Sequence, residues 1–182
     1  MNNNFKNKYY YIFKRYFMYL IAYSVAGFIL ERIINMIFLG DWYDNSVLIG
    51  PYQPLYGFGL LLTIIFFENV YRKIKGIKDI YKEIIFIAVA ILATGLVEAI
   101  TGFGFEYLYG IHLWDYSDTF PCSIQYVCIY PTTIFGILSY LVIKYIHPLI
   151  SRHIERVSNV LFYTIFVIFI TDIIFTLITL AN

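Results

Sequence analysis

Five ionisable side chains fall inside long apolar runs: Glu31, Arg32, Glu98, Glu106 and Asp172. A charge at the centre of a bilayer costs on the order of 2.5–3.5 kcal/mol on insertion scales, so each needs a partner, a proton or water. Arg32, Glu98 and Asp172 each lie about 14–16 residues into their runs, or about 21–24 Å of helical rise. Three runs thus deliver opposite charges to a similar depth. This spacing pairs Arg32 with Glu98 or Asp172 and leaves the other acid protonated or facing water. In "ERIIN", Glu31 and Arg32 are adjacent and point about 100° apart, so they cannot serve one partner. Three chemistries fit such a polar layer: ion pairs that pin helix rotation, a path for a solute or proton, and catalysis.

A second candidate lies in "GIHLWDYSDTFPCS". His112 has Asp115 and Asp118 nearby, and Ser117, Cys122 and Ser123 are potential nucleophiles. A hydrolase needs such a nucleophile beside a positioned base; the alternative is a hydrogen-bonded loop turn. Cys122 and Cys128 show no metal-ligand or redox spacing, so no metal is implied. They are either free thiols at a helix entrance or a small-loop disulfide facing an oxidising space. The glycines of "GFGFEYLYG" lie inside an apolar run, so they form no dinucleotide loop. No GxxxxGK[ST] occurs, so this chain cradles no nucleotide phosphates in that way, and no cofactor is implied. The pattern predicts a chain that is not an enzyme.

The elements that position these residues follow from composition. Of 182 residues, 60% are hydrophobic, 21% aromatic and only 14% charged, against about 25% charged in soluble domains. A net charge of +1 gives no field that would recruit nucleic acid. Spans of about 17–25 apolar residues are expected at Tyr16–Leu39, Leu55–Val70, Glu83–Tyr109, Tyr126–Ile146 and Ser158–Leu180. The second is short unless it borrows from "GPYQP" or "YRK". The predicted fold is all-α: a polytopic membrane protein with about five transmembrane helices. Residues 1–15 read as a basic, aromatic lead-in on the membrane surface and 16–182 as one transmembrane domain. His147 before Pro148 is expected to end a helix, because the residue before proline avoids the α region. His153 falls among basic residues at headgroup level.

Lysine and arginine placement orients the bundle. Lys6, Lys8, Lys14 and Arg15 precede the first span, Arg72, Lys73, Lys75, Lys78 and Lys82 join the second to the third, and Lys144, Arg152 and Arg156 flank the fourth connection. The connections Gly40–Pro54 and Gly110–Gln125 hold no Lys or Arg but carry Asp41, Asp44, Asp115 and Asp118. The positive-inside rule predicts a cytoplasmic N-terminus and an external C-terminus. The inner stretch "YRKIKGIKDIYK" suits either anionic lipid or a cytosolic partner. Gly95, Glu98, Gly102 and Glu106 share roughly an 80° arc at about 100° per residue, a face on which small residues admit a neighbouring helix.

"SVLIGPYQPLYGFG" is neither a helix nor an ordinary loop. Pro51 and Pro54 remove backbone donors, while Gly50, Gly57 and Gly59 admit close approach. Irregular backbone at membrane depth persists only where protein or a watery cavity satisfies it. A short re-entrant or surface-docked element is expected, with Tyr52, Tyr56, Trp114 and Tyr116 at headgroup level. It reads either as a rigid turn with interface anchors or as a solute gate.

"GPYQPLYGFG", "EAITGFGFEYLYGIHLWDYSD" and "FGILSYLVIKYIHPLI" together resemble the CmpB-like family named Putative ABC-transporter type IV. Glu31, Gly50, Pro51, Pro54, Tyr56, Gly57, Gly59, Glu98, Trp114, Asp115, Tyr116, His147 and Pro148 fall on its pattern. Leu113 replaces a tryptophan, and "TFPCSIQYVCIYPTT" lacks the arginine that usually precedes the fourth span. The resemblance implies a permease-like subunit in the cell membrane, with a separate ATPase on the cytoplasmic side. Five short spans enclose little volume, so a homodimer or a partner subunit is expected. The alternatives are a non-transporting scaffold or envelope-regulating protein, and a lipid-modifying enzyme using His112 and Asp115.

Overall fold

The computed structural model describes residues 3–40, 42, 46–122 and 124–181. Asp41, Asp44 and Ser123 lie outside the described residues. The fold is all-helical: α1 (Asn3–Leu39), α2 (Pro54–Asn69), a 3-10 turn (Tyr71–Lys73), α3 (Asp79–Tyr109), α4 (Ile129–Leu141), a π turn (Val142–Ile146), α5 (His147–Ile154) and α6 (Asn159–Ala181). No strand occurs among the described residues; Ile124 and Val127 form one isolated antiparallel bridge. Five stretches are long and apolar enough to cross a membrane: Lys8–Ile37, Pro54–Lys73, Asp79–Tyr109, Ile129–Ile154 and Asn159–Ala181. The second reaches that length through the "YRK" turn, one of the two extensions the sequence offers. α1 is continuous from Asn3, so residues 3–15 belong to the same helix as the first span.

The expected helix end at His147–Pro148 does not occur. His147 keeps α-helical angles (φ −55°, ψ −38°), and its N–H reaches back five residues to the Val142 carbonyl. Proline lacks an N–H and its ring collides with the carbonyl four residues back. The wider π turn takes up this misfit, and helix continues to Ile154. α3 instead ends at Gly110, whose left-handed angles (φ 67°, ψ 20°) let its N–H return to the Glu106 carbonyl at 2.8 Å, the usual glycine stop.

The chain groups into two compact units, Met1–Gly57 with Leu149–Asn182, and Phe58–Pro148. In the first, Tyr10, Phe13 and Phe17 recur at helical spacing on α1 and meet Phe162, Phe166 and Phe169 of α6, with Phe17 and Phe166 centroids 5.1 Å apart. Lys14 is buried, and its ammonium donates to the Val157 carbonyl (2.6 Å) and Asn159 Oδ1 (2.7 Å). A lysine that would be costly in an apolar layer thus ties α1 to the turn before α6. Further along α1, a Cβ on Gly27 would overlap the Tyr56 ring, and one on Gly57 would overlap Ser24 Oγ and stand 2.6 Å from the Leu20 carbonyl. The first turn of α2 therefore lies almost backbone to backbone on α1, and the Gln53 N–H donates to the Ser24 carbonyl at 2.9 Å.

The second unit is built on α3 packed along α4. A Cβ on Gly136 would strike the Ile91 backbone, and one on Gly95 would press the Thr132 methyl at 3.0 Å. This is the small-residue approach read from the α3 spacing. Phe86 is buried beneath Phe66, Phe67, Tyr71 and Tyr140, the Tyr71 ring lying 4.8 Å away. Above it Lys144 donates to Glu83 Oε1 (2.8 Å) and Tyr140 (2.7 Å).

Gly57→Val is expected to destabilise the protein by about 1–3 kcal/mol, the usual cost of overpacking, because the Leu20 backbone cannot turn aside. Reversible unfolding in detergent measures this; an unchanged midpoint would contradict the α1–α2 packing.

Candidate functional site

The Gly-Pro loop is anchored by Asp172. The Gly50 N–H donates to Asp172 Oδ2 at 2.7 Å and the Ile49 N–H to Oδ1 at 3.1 Å. The Tyr52 hydroxyl donates to Oδ2 at 2.5 Å, and Thr176, one turn along α6, donates to Oδ1 at 3.2 Å. Asp172 lies about 13 Å of helical rise short of the α6 C-terminus, within the helix long and apolar enough to cross a membrane. Tyr52 is buried and its ring meets Phe169 with centroids 5.1 Å apart. Burial, then the bond to Asp172, holds the Tyr52 phenol above the usual tyrosine range, which fixes the phenol as the donor. The Tyr52 N–H closes back on the Gly50 carbonyl at 2.8 Å. A Cβ at Gly50 would overlap the phenol, so glycine is the residue that lets this tight turn form. Pro51 is exposed, Pro54 opens α2, and Tyr56 and Gly57 lie against α1.

Asp172 is thus held by amides and hydroxyls rather than by Arg32. The Arg32 guanidinium lies over the Phe28 ring at 4.4 Å and near Trp42 at 5.9 Å. Arg32 and its neighbour Glu31 are half-buried on α1.

In the second unit, buried Glu98 accepts from Thr132 at 2.5 Å. Thr94, one turn before it, meets Gly59 at 3.3 Å from the position of a Cβ and bonds back to the Ala90 and Ile91 carbonyls. Two turns further along the same face, Glu106 Oε2 accepts from Tyr126 at 2.9 Å. Tyr126 is fully buried and occupies the space where a Gly102 side chain would be. Its hydroxyl also meets His112 Nδ1 (2.8 Å) and Gln125 Nε2 (3.1 Å). Trp114 Nε1 donates to its carbonyl at 3.1 Å, and His112 Nδ1 lies 3.8 Å from Glu106 Oε1. Burial, then the bond to Glu106, pushes the Tyr126 phenol up to about 12.

Asp115 forms a local turn, its Oδ1 accepting from the Ser117 hydroxyl (2.6 Å) and N–H (2.8 Å). These two bonds hold its carboxyl below the usual carboxylate range. His112 is oriented by Tyr126 and Gln125, and half-buried Tyr116 donates its N–H to the Gln125 carbonyl at 2.7 Å. Cys122 and Cys128 form a disulfide across Tyr126, with Cα atoms 5.1 Å apart, which decides the question the sequence left open. At the far end of this unit His147 lies 4.0 Å from Glu68, while His153 caps its own turn on the Leu149 carbonyl. Among the described residues no group of three or more His, Cys, Asp or Glu could hold a metal.

Tyr126, Gln125, Thr132 and Thr176 were not singled out by sequence reasoning. Thr176 stands four residues after Asp172, and Tyr126 lies between the two cysteines; both spacings are visible only once the partners are known.

A family model described as Putative ABC-transporter type IV matches residues 18–177. The chain belongs to this family. As a member with five apolar spans it is a multi-pass membrane protein. Neither the curated proteins nor the solved structures yield a match.

Gly50→Ala is expected to displace the Tyr52 phenol from Asp172 and cost about 1.5–3 kcal/mol, the worth of a hydrogen bond to a charged group. Unfolding in detergent tests this, and a neutral effect would contradict the anchored turn. Tyr126 gives a pH prediction. Its folded value lies above the ordinary value of about 10, so the protonated phenol is the form the fold favours. Its contribution is full below about pH 10 and lost as pH rises through about 12. The tyrosinate absorbance missing from Tyr126→Phe, relative to wild type, should appear at that higher pH; appearance near 10 would refute the buried bond.

Proposed function

We propose that this chain is the membrane-embedded, permease-like subunit of an ABC-type transport assembly in the cell membrane, its N-terminus cytoplasmic and its C-terminus outside. The observation that carries the reading is the Gly-Pro loop held at Asp172. Backbone amides brought to a carboxylate within a span form a re-entrant element of the kind tolerated only where protein or a watery cavity satisfies it. Family membership at residues 18–177 supports the same reading. The disulfide between Cys122 and Cys128 supports the orientation, because such bonds persist in oxidising compartments, and that loop carries no lysine or arginine. The chain performs no catalysis. A separate ATPase docks on the basic cytoplasmic connections, and a homodimer encloses the volume that five short spans alone do not.

A second reading, a non-transporting scaffold, is favoured by one observation: Asp172 and Glu106 are each satisfied by neutral donors, as structural pins would be.

Affinity purification in mild detergent separates the two. The permease reading expects a nucleotide-binding ATPase to co-purify; its repeated absence, together with equal solute flux in cells with and without the protein, favours the scaffold. A membrane-impermeant maleimide should label Asp118→Cys, an exposed loop position, from outside intact cells. Labelling only after permeabilisation would reverse the orientation.

A further inference from the structure

The two intramembrane acids at the hearts of the two units are held by different chemistry. Asp172 accepts four hydrogen bonds, two of them from backbone N–H groups that can only donate. An ionised carboxylate is an acceptor with room for about four donors, so Asp172 has the shell of a carboxylate. Glu98 is 3% exposed, and its hydrogen-bond partner among the described residues is one hydroxyl, Thr132. A hydroxyl both donates and accepts. It can therefore serve the O–H of a carboxylic acid, whereas one neutral bond does not offset the cost of burying an ionised carboxylate.

We infer that Glu98 and Thr132 form a proton-binding site within the membrane, with Glu98 a neutral carboxylic acid at neutral pH that exchanges its proton with water.

Within the second unit, the described charges near this site are engaged by other partners. On α3, Glu106 above is engaged by Tyr126, and Glu83 below by Lys144 and Tyr71. α4 presents Thr132, and its own titratable groups differ in place: Tyr130 is exposed and Tyr140 takes the Lys144 ammonium. On α2 the neighbour across Thr94 is Gly59, and Glu68 is beside His147. The small residues Gly59 and Gly95 bring three helices together around Thr94 and Thr132. Within this unit the described residues around the site present backbone and hydroxyls, and no cation among them pairs with Glu98. The proton arrives from water, binds one carboxyl oxygen and departs to water, so the charge balances without another reactant.

Coupling of this proton to movement of a solute rests on the permease reading; the protonation itself does not. Infrared spectroscopy of the full chain in lipid bilayers tests it without any transport assay. A carboxylic-acid carbonyl band should be present at neutral pH, vanish in Glu98→Gln and persist in Asp172→Asn. It should convert reversibly to carboxylate as the pH is raised. Thr132→Val should keep the band but shift it, because the carbonyl environment loses its hydroxyl; this arm reads the site even where Glu98→Gln is poorly folded. A band unchanged in both Glu98→Gln and Thr132→Val, or no such band in the wild type, overturns the assignment. A Glu98 band that does not respond to alkaline pH overturns exchange. Failure of the permease reading would leave all these spectra as expected.

Discussion

An irregular loop and a carboxylate are each unwelcome inside a membrane, since every unsatisfied backbone N–H or charge there costs several kcal/mol. In the first unit of this protein the loop and the carboxylate of α6 meet in one contact. The amides of Ile49 and Gly50 lie outside the helices, no cation among the described residues of this unit pairs with Asp172, and amides and carboxylate satisfy each other. The details of the loop follow from that meeting. Gly50 leaves space for the Tyr52 ring, Tyr52 adds a third donor, and Pro54 starts α2 as soon as Gln53 has given its N–H to Ser24. Gly57 and Gly27 then let the first turn of α2 lie against α1. An aromatic seam joins α1 to α6, the helix that carries Asp172.

The second unit uses the same economy with a phenol in place of amides. Tyr126 fills the gap above Gly102 and gives its hydroxyl to Glu106, while the disulfide between Cys122 and Cys128 closes the short segment that carries it. Trp114 and Tyr116 then fasten the preceding loop to that segment through backbone partners rather than through each other. Trp114 and Tyr116 are therefore parts of one hydrogen-bonded segment around Tyr126.

The spans were legible because apolar runs of membrane length leave little alternative. The close-packed face of α3 was legible from Gly95 and Gly102 at helical spacing. Partner choice was not. Charge arithmetic assigned Arg32 to Glu98 or Asp172, since opposite charges at one depth are the cheapest pairing that composition reveals. Backbone amides carry no letter in the sequence, and they took Asp172. The same blindness explains His147–Pro148: propensity ends a helix there, but a π turn spread over the five preceding residues absorbs the proline. Lys14 was counted only as an orienting charge, although its ammonium is buried on the Val157 carbonyl. The cysteine pair was undecided because a disulfide follows the redox compartment, which the two cysteines by themselves do not name.

The account depends above all on direct coupling between the loop and the carboxylate of α6. A double-mutant cycle of Tyr52→Phe and Asp172→Asn, read by reversible unfolding in bilayer-like discs, measures it. The account predicts an interaction energy of about 1.5–3 kcal/mol, the range for hydrogen bonds to a charged group. Additive single effects would mean that loop and acid are held by separate interactions, and the account would fail.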